Sequence, residues 1–239
     1  MIKLVTRIRR IWRQLLRQRQ LRNLQHEYYQ NPAHASEVTA EYLRVLADAR
    51  DAETVRKQKV VALHAGSGGH YIKDWINVDI DPAPPVDLAA DLSAAVPIRS
   101  GSVDYIHSED FLEHLDLEGG KRFIAEAFRV LRPGGTMRLL TPDLRAIIDR
   151  VYYGGDASHL AWCHKALNAA GPCEALNMHL RMNGAHRFLY DHDYLCRLLL
   201  DAGFIVRQVS YNRSPNSLLR YLDLRDFGLN LFLEAHKPN

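Results

Sequence analysis

Apolar and polar positions change their spacing along the chain, and this change predicts the secondary structure. From residue 59 onward, short apolar runs bounded by turn residues alternate with segments whose apolar residues recur every three or four positions. The runs are typical of buried strands, and the longer spacing is typical of amphipathic helices. The pattern predicts strands at 59–64, 75–79, 86–89, 103–107, 135–141, 204–210 and 229–236, and helices at about 120–131, 142–152 and 191–202.

The alternation of strands and helices favours one fold class. Strands joined through helices form a mostly parallel sheet, because a helical crossover returns the chain in the same direction. The crossover helices then cover both faces of the sheet. We therefore predict an α/β domain at residues 57–239, with a doubly wound, seven-stranded, mostly parallel sheet of the Rossmann-like kind.

The first 56 residues have a different pattern and are predicted to form a helical appendage. Between residues 2 and 25, apolar residues follow a helical spacing and arginines fill the other positions, which predicts one basic amphipathic helix. A second helix is predicted at 36–53, with Ser36 as its N-cap. The basic helix has two interpretations, which are attachment to an anionic membrane surface and packing against the domain or a partner protein.

Charge is distributed unevenly between these two parts. Residues 1–26 contain eight basic and no acidic residues, which leaves 23 basic against 28 acidic residues in the rest of the chain. A protein that binds RNA or DNA along its surface is usually basic itself. The acidic body therefore argues against a nucleic-acid partner, although the formal net charge of the whole chain is +3.

Length and composition limit the class of protein further. The 239 residues suffice for one α/β core with an appendage. No apolar run reaches the ~18 residues of a membrane-spanning helix, and the first residues lack the continuous apolar block of a secretory signal. The cysteines are scattered and odd in number (Cys163, Cys173 and Cys196), as in reducing compartments. We expect a cytoplasmic protein, with attachment at the inner membrane face as the alternative.

The residues with the clearest chemistry follow the first two predicted strands. The turn Gly66-Ser67-Gly68-Gly69 comes directly after the first strand, and Asp79 ends the second. A turn without bulky side chains lets a ligand approach the backbone, and a carboxylate at the next strand end accepts hydrogen bonds from ribose hydroxyls. The dinucleotide motif G-x-G-x-x-G is incomplete, because Tyr71 stands at the position of its third glycine. The pair therefore predicts an adenosine-containing cofactor without a pyrophosphate.

An ordered set of motifs through residues 59–236 resembles the class I S-adenosylmethionine-dependent methyltransferases. The resemblance is to the type 11-like branch of bacterial enzymes, which is often associated with surface-polysaccharide and glycolipid assembly. Its most specific motif is the turn Leu131-Arg132-Pro133-Gly134-Gly135 after a predicted helix. The other motifs are Leu63–Gly69, Asn77–Asp81, Ala90–Leu92, Ser102–Ile106 with Leu112–Leu115, Thr141–Asp143, Asp201–Phe204 and Phe232–Lys237.

The resemblance implies S-adenosyl-L-methionine as the cofactor and assigns residues to it. From methionine to adenine, these are Gly66, Ser67 and Gly68 at the methionine part, Ser108 under the sulfonium, Asp79 at the ribose with Ile80 beside it, and Asp91 and Leu92 at the adenine. The chain departs from the family pattern at two positions. His64 replaces a carboxylate that helps to hold the methionine amine. His70 replaces the third glycine of the methyltransferase turn, a different position from that of Tyr71 in the dinucleotide motif.

The methyl acceptor requires a general base if it is an alcohol. A sulfonium methyl group is already activated, so the protein has mainly to position the acceptor and remove its proton. Residues 153–188 lie where this family commonly inserts a substrate cover, and they are rich in His, Arg, Asn and aromatic residues. His186 in this segment and His114 beyond the fourth strand are the candidate catalytic bases. For each, the alternative is a histidine that only hydrogen-bonds to neighbouring loop or backbone groups.

A metal site is not expected from the sequence. Cys163, His164, Cys173 and His179 are the nearest approach to a ligand set. Their spacing matches none of the patterns of closed zinc sites.

These observations together predict a methyltransferase, with a small-molecule, glycan or glycolipid acceptor. Methylation of an oxygen on a sugar or lipid-linked glycan fits a cover rich in His, Arg and Asn. One alternative is a methyltransferase that acts on a soluble small molecule or natural product. The other is a non-catalytic cofactor-binding or scaffold protein, because His64 and His70 depart from the family pattern.

Overall fold

The structure is a computed structural model that describes residues 60–82, 86–225 and 228–239. The predicted basic helix at 2–25, the second helix at 36–53 and the domain boundary at residue 56 lie outside the described residues. Among the described residues, no helix has the length and apolar character needed to cross a membrane.

Seven strands of the described chain form one sheet. They are β1 (Ala62–Ala65), β2 (Ile76–Asp79), β3 (Leu88–Ala89), β4 (Val103–Glu109), β5 (Leu131–Pro142), β6 (Ile205–Gln208) and β7 (Asn230–His236). Their order is β3-β2-β1-β4-β5-β7-β6, and β7 runs antiparallel to both of its neighbours while the other pairs are parallel. The prediction of a seven-stranded, mostly parallel sheet is confirmed.

Besides two short 3-10 helices at Leu112–His114 and Met182–Gly184, five helices lie between these strands within the described ranges. They are α1 (Leu117–Val130), α2 (Leu144–Ala146, continued as a π-helix over Ile147–Tyr153), α3 (Ala157–Leu167), α4 (Pro172–Arg181) and α5 (His192–Asp201). Helices α1, α2 and α5 correspond to the predicted helices. The apolar spacing does not predict α3 and α4, although two local signals mark them. Asp156 caps α3 by accepting a hydrogen bond from the amide of His159, and Pro172 occupies the first turn of α4.

The two faces of the sheet differ in character because side chains alternate along each strand. One face carries apolar residues such as Leu63, Ile106, Leu139 and Leu233, which belong to the main core together with residues of α1 and α5. The opposite face carries a row of polar residues, each paired with the next across adjacent strands. The row consists of Asn77, His64, His107, Arg138, Glu234 and Arg207.

Arg138 lies in the middle of this polar row and has no exposed surface. Its Nε donates to Oδ1 of Asp223 at 2.6 Å, and its Nη1 donates to Oε1 of Glu234 at 3.2 Å. Its Nη groups also donate to the carbonyls of Ser210 and Arg213. Loss of one partner would leave a buried charge uncompensated, which is strongly destabilising. The network therefore fixes the segment between β6 and β7 against the sheet.

A second apolar cluster lies beside the main core, where α2, α3 and α4 pack together. Its buried residues are Ile147, Val151, Cys163, Ala169, Ala175, Leu189 and Leu229. Burial of these side chains supplies the free energy that orders helices of this length, which are marginal in isolation. The segment 153–188 is thus packed through this cluster against the helix that follows β5 and against Leu189 and Leu229.

Candidate active site

The carboxyl ends of β1, β2 and β4 meet at one edge of the sheet, and the glycine turn follows β1 there. Gly66 and Gly68 have φ angles of 70° and 49°, in the left-handed region that favours glycine. The amides of Gly66 and Ser67 donate to the carbonyl of Val78 at 2.9 and 3.0 Å. A Cβ on Gly66 would lie 2.3 Å from the ring of Phe111. The turn is therefore held closely between β2 and Phe111.

Asp79 ends β2 beside this turn. Its Oδ2 accepts a hydrogen bond from the amide of Gly68 at 2.8 Å, and its Oδ1 accepts one from the amide of Asp81 at 3.1 Å. An ionised carboxylate has about four acceptor positions. Each oxygen of Asp79 thus keeps one position for a hydroxyl group, which agrees with the predicted ribose role; that role stays a prediction.

Two buried hydroxyl groups stand at the neighbouring strand ends. Ser67 and Ser108 are 2% and 0% exposed, and neither Oγ has a hydrogen-bond partner among the described residues. Buried hydroxyls are normally hydrogen-bonded, so both are available to a bound molecule. Nothing lies within 4 Å of the position that a Cβ on Gly68 would take. The open space at Gly68 would admit a cofactor such as S-adenosyl-L-methionine to the turn, and the two buried hydroxyls are polar groups that the described residues leave unpaired.

The two histidines that depart from the family pattern, His64 and His70, contact other side chains and do not block the glycine turn. Nδ1 of His64 lies 3.1 Å from Oδ1 of Asn77, and burial lowers the pKa of His64 to about 4, so the ring is neutral at pH 7. Nε2 of His70 lies 3.4 Å from Nη2 of Arg225. Neither ring comes within 4 Å of the open side of Gly68.

The segment before β7 reaches the end of β4. The amides of Leu224 and Arg225 donate to the carboxylate of Glu109 at 3.0 Å, and the Arg225 guanidinium pairs with Asp110. Burial by itself would raise the pKa of Glu109, but hydrogen bonds from His107 and from these amides hold it below its ordinary value. Arg225 therefore connects the β4 end with the glycine turn, a contact that sequence spacing does not reveal.

The remaining cofactor candidates follow β2 and β3. Ile80 comes directly after Asp79 and is 46% exposed. Oδ1 of Asp91 accepts hydrogen bonds from the amide and hydroxyl of Ser93 at 2.8 and 2.6 Å, and Leu92 is buried in the main core. Their contacts with an adenine ring stay a prediction.

His114 and His186 lie in contact, although they are distant in sequence. Their ring centroids are 5.1 Å apart and the rings meet edge to face. The buried Glu113 belongs to the same place, since one polar atom from each of the three side chains lies within 4.8 Å of the others. We call Glu113, His114 and His186 the strand-end group, because they follow the end of β4 or pack against it.

Hydrogen bonds to the backbone decide which ring nitrogens of this group are free. Nδ1 of His114 is 3.1 Å from the carbonyl oxygen of Ala185, and Nδ1 of His186 is 2.6 Å from that of His179. A carbonyl only accepts, so each Nδ1 carries a proton and Nε2 is the ring nitrogen left to exchange a proton. No other described residue hydrogen-bonds to either Nε2. Both rings thus have the form of a general base.

Burial changes the protonation of this group. It lowers the pKa of His186 below its ordinary value, which keeps the ring neutral at pH 7. Burial, together with the nearby Asp110 carboxylate, raises the pKa of Glu113 to about 8. The Glu113 carboxyl accepts a hydrogen bond from Oγ1 of Thr141 at 3.0 Å. Sequence reasoning did not select Glu113, although its position beside His114 and just beyond a predicted strand end is a signal that could have found it.

A second group with the composition of metal ligands lies between α3 and α4. His159, Cys163 and His179 each bring one ligand atom within 4.8 Å of the others, and we call them the cover group. Burial lowers the pKa of His179 to about 4 and raises the pKa of the Cys163 thiol. Of the residues considered for zinc from the sequence, His164 and Cys173 are exposed and outside this group.

Comparison with known proteins gives a family match over part of the chain. Residues 64–139 match the family described as methyltransferase domain. A protein of Mycolicibacterium smegmatis, described as a probable S-adenosylmethionine-dependent methyltransferase, is 34% identical over an alignment of 98 positions. That alignment covers 34% of this chain and 37% of the relative, so this chain matches little more than a third of the relative's length.

Solved structures with a similar course of the chain have low sequence identity. A SAM-dependent methyltransferase from Archaeoglobus fulgidus is 13% identical with a TM-score of 0.46, covering 81% of this chain and 93% of that one. An O-methyltransferase family protein from Burkholderia thailandensis is 16% identical with a TM-score of 0.45, covering 90% of this chain and 63% of that one. Similarity at this level does not inform on activity.

The strand order with its reversed β7 and the match over residues 64–139 agree with each other. The matched residues include the glycine turn, Asp79 and Ser108. Residues 64–139 thus match a methyltransferase domain family, within a chain whose described residues have a Rossmann-like α/β fold.

Proposed function

We propose that this protein transfers a methyl group from S-adenosyl-L-methionine to an oxygen of a sugar or a lipid-linked glycan. The observation that carries the proposal is the strand-end group, where His114 and His186 each have Nδ1 bound to a carbonyl and Nε2 free. An alcohol acceptor needs a base that takes its proton, and an imidazole with a free Nε2 meets that need.

The cofactor would be held by the residues at the strand ends. Asp79 would accept hydrogen bonds from the ribose hydroxyls, and the unpaired hydroxyls of Ser67 and Ser108 would face the methionine and sulfonium parts. Gly68 would leave room for the cofactor at the turn. When bound, the cofactor supplies a methyl group that is already activated. The protein then orients the acceptor and removes its proton through His114 or His186.

The chemistry of the cover supports a polar, hydroxylated acceptor. Arg181, Asn183 and Arg187 are exposed in the segment that leads to or follows His186. The amide of Arg187 donates to the carbonyl of Glu113 at 2.8 Å, so this segment lies against the strand-end group. Guanidinium and amide groups bind hydroxyl and anionic groups of sugars through several hydrogen bonds. The branch of the family associated with surface-polysaccharide and glycolipid assembly agrees with this acceptor.

Cofactor binding is the first test. We expect calorimetry to detect S-adenosyl-L-methionine binding by the full chain, and Asp79→Ala to weaken it at least about 10-fold, because hydrogen bonds to a charged group contribute about 1.5–3 kcal/mol each. Asp81→Ala is the matched control, with an affinity within about twofold of wild type. The absence of binding at millimolar cofactor would favour a scaffold protein, and normal affinity of Asp79→Ala would refute the ribose assignment.

The acceptor is identified by turnover. Release of S-adenosylhomocysteine is measured with extracted glycolipids, soluble glycans and small alcohols or amines, and products are located by a mass increase of one methyl group. Methylated sugar or glycolipid is the expected product. Turnover confined to small soluble molecules would replace the glycan proposal with the small-molecule alternative.

We also propose that residues 1–26 attach the protein to an anionic membrane surface. The support is their charge, eight basic and no acidic residues, on a predicted amphipathic helix. In a flotation experiment the full chain should rise with phosphatidylserine-containing vesicles and remain at the bottom with neutral vesicles. Equal flotation with both, or with neither, would contradict the proposal.

A further inference from the structure

The cover group lies outside the strand-end group and consists entirely of side chains that ligate metals. His159 and Cys163 are four residues apart on α3, a spacing that places both on one face of a helix. His179 projects from α4, which packs against α3. His159, Cys163 and His179 are 8%, 0% and 7% exposed.

The ligand atoms of these three residues converge. Nε2 of His159 lies 2.7 Å from Nε2 of His179, and Sγ of Cys163 lies 3.6 Å from the latter nitrogen. In a tetrahedral zinc site with Zn–N near 2.0–2.1 Å, two nitrogens stand about 3.3 Å apart. The imidazoles would therefore have to separate by about 0.6 Å to admit an ion, which is within the reach of small side-chain rotations.

A hydrogen bond between the two imidazoles explains only part of this arrangement. Such a bond needs two rings, whereas here a third ligand atom from Cys163 points to the same place. The indole of Trp162 packs beside both rings, with centroids 5.3 Å from His159 and 6.0 Å from His179. An apolar shell of this kind limits access of water to a metal site and orients its ligands.

We propose that His159, Cys163 and His179 bind a divalent ion of the zinc class through two imidazole nitrogens and one thiolate, with a fourth position left for water. Nitrogen and sulfur ligands of this kind select zinc over magnesium or calcium, which prefer oxygen. On binding, the Cys163 thiol gives its proton to solvent. The ring that donated between the histidines moves its proton from Nε2 to Nδ1, so one proton is released per ion.

An ion at this place would join α3 to α4. The carbonyl of His179 also accepts the hydrogen bond from Nδ1 of His186. The ion would thereby stiffen α4, whose His179 carbonyl fixes the ring of the candidate base His186. The metal site itself does not depend on the proposed methyltransferase activity.

Cobalt(II) titration of the full chain, freed of metal with a chelator, tests the proposal. We expect one equivalent of cobalt to bind and to show visible absorption of a tetrahedral site together with a thiolate-to-metal band in the near ultraviolet. Zinc should displace the cobalt. Zinc in 100-fold excess over its Kd should raise the melting temperature by at least about 5 °C.

Substitutions assign the ligands. Cys163→Ser should abolish the thiolate band, and His159→Asn and His179→Asn should each weaken binding at least 10-fold. The controls His164→Asn, Cys173→Ser and Cys196→Ser should retain the full spectrum, and circular dichroism checks that each variant is folded. Absence of a thiolate band in the wild type at 0.1 mM cobalt would overturn the proposal, as would its persistence in Cys163→Ser. If Cys163→Ser does not fold, Cys163→Ala takes its place, and the wild-type titration alone still decides.

Discussion

Two groups of histidines in this protein use their ring nitrogens in opposite ways. In the strand-end group, Nδ1 of His114 and of His186 is hydrogen-bonded to a backbone carbonyl, which leaves each Nε2 free. In the cover group, the Nε2 atoms of His159 and His179 face each other at 2.7 Å. The first arrangement offers basic nitrogens to a bound molecule, whereas the second directs them at each other and toward Sγ of Cys163, where we propose a metal ion. The occupied nitrogen, rather than the presence of histidine, decides the chemistry.

The groups also differ in depth. His114 and His186 are partly exposed beside the strand ends, while His159, Cys163 and His179 are buried between two helices. Substitutions of His114 and His186 should therefore affect turnover more than stability. Substitutions in the second should affect stability directly.

The largest expected effect is on turnover. His186→Asn keeps a side chain of polar character but cannot take a proton, so we expect turnover to fall about 100-fold or more if this residue is the base. His114→Asn is tested in the same way, and the stronger loss identifies the base. Affinity for S-adenosyl-L-methionine should stay within about twofold. Turnover is measured as S-adenosylhomocysteine release with the acceptor that the substrate screen provides.

His164→Asn is the control for this experiment, because His164 is exposed on α3 and belongs to neither group. Its turnover should equal that of wild type. Wild-type turnover in both His114→Asn and His186→Asn would remove the strand-end group from the mechanism.

The next effect is on stability. His179→Ala removes a buried ring from the contact between α3 and α4, and we expect it to lower the free energy of unfolding by about 2 kcal/mol or more. His114→Ala removes a partly exposed ring, and its cost should be below about 1 kcal/mol. Urea unfolding in the presence of a chelator measures both values. Equal losses would mean that the two groups do not differ in their structural role.

The smallest effect is the pH dependence that Glu113 contributes. Its carboxyl ionises near pH 4.5 in the unfolded chain and at about pH 8 in the folded protein. A raised pKa contributes stability that is complete below pH 4.5 and is lost as the pH rises through 8. Glu113→Gln cannot ionise and should not show this loss. Relative to wild type, its free energy of unfolding should rise between pH 5 and pH 9 by about 1.4 kcal/mol or more, the equivalent of one pKa unit.

Urea unfolding of both proteins at pH 5 and pH 9 checks this expectation. Glu118→Gln is a suitable control, since Glu118 is exposed at the start of α1. An unchanged difference between wild type and Glu113→Gln at the two pH values would show that Glu113 is ionised in the folded protein at pH 7.

Local sequence predicted the strands of the sheet well and the helices of the predicted substrate cover, residues 153–188, poorly. Strands β4 and β7 are mostly buried and contain short apolar runs bounded by turn residues, so their positions follow from the sequence pattern. Helices α3 and α4 place polar and ligating side chains such as His159 and His179 in their contact surface. Such residues interrupt the apolar spacing on which helix prediction depends.

The buried polar row is a second feature that the local sequence pattern does not predict. Arg138 and Glu234 lie on strands that a sequence pattern assigns to the core, yet both are charged and have no exposed surface. Their compensation comes partly from Asp223 on a distant segment. A sequence pattern within one segment cannot identify Asp223 as the partner of Arg138, because the two residues are far apart in the chain.

By itself, the sequence determined the order of strands and helices from residue 59 onward, the glycine turn and the acidic end of β2, because apolar spacing and turn chemistry act over a few residues. It also singled out His114 and His186 separately. Only the tertiary structure placed these two rings 5.1 Å apart, gave each a carbonyl for Nδ1, and brought Cys163 together with His159 and His179. The physical reason is that protonation, tautomer and ligand geometry depend on neighbours in space, which the packing of whole elements supplies.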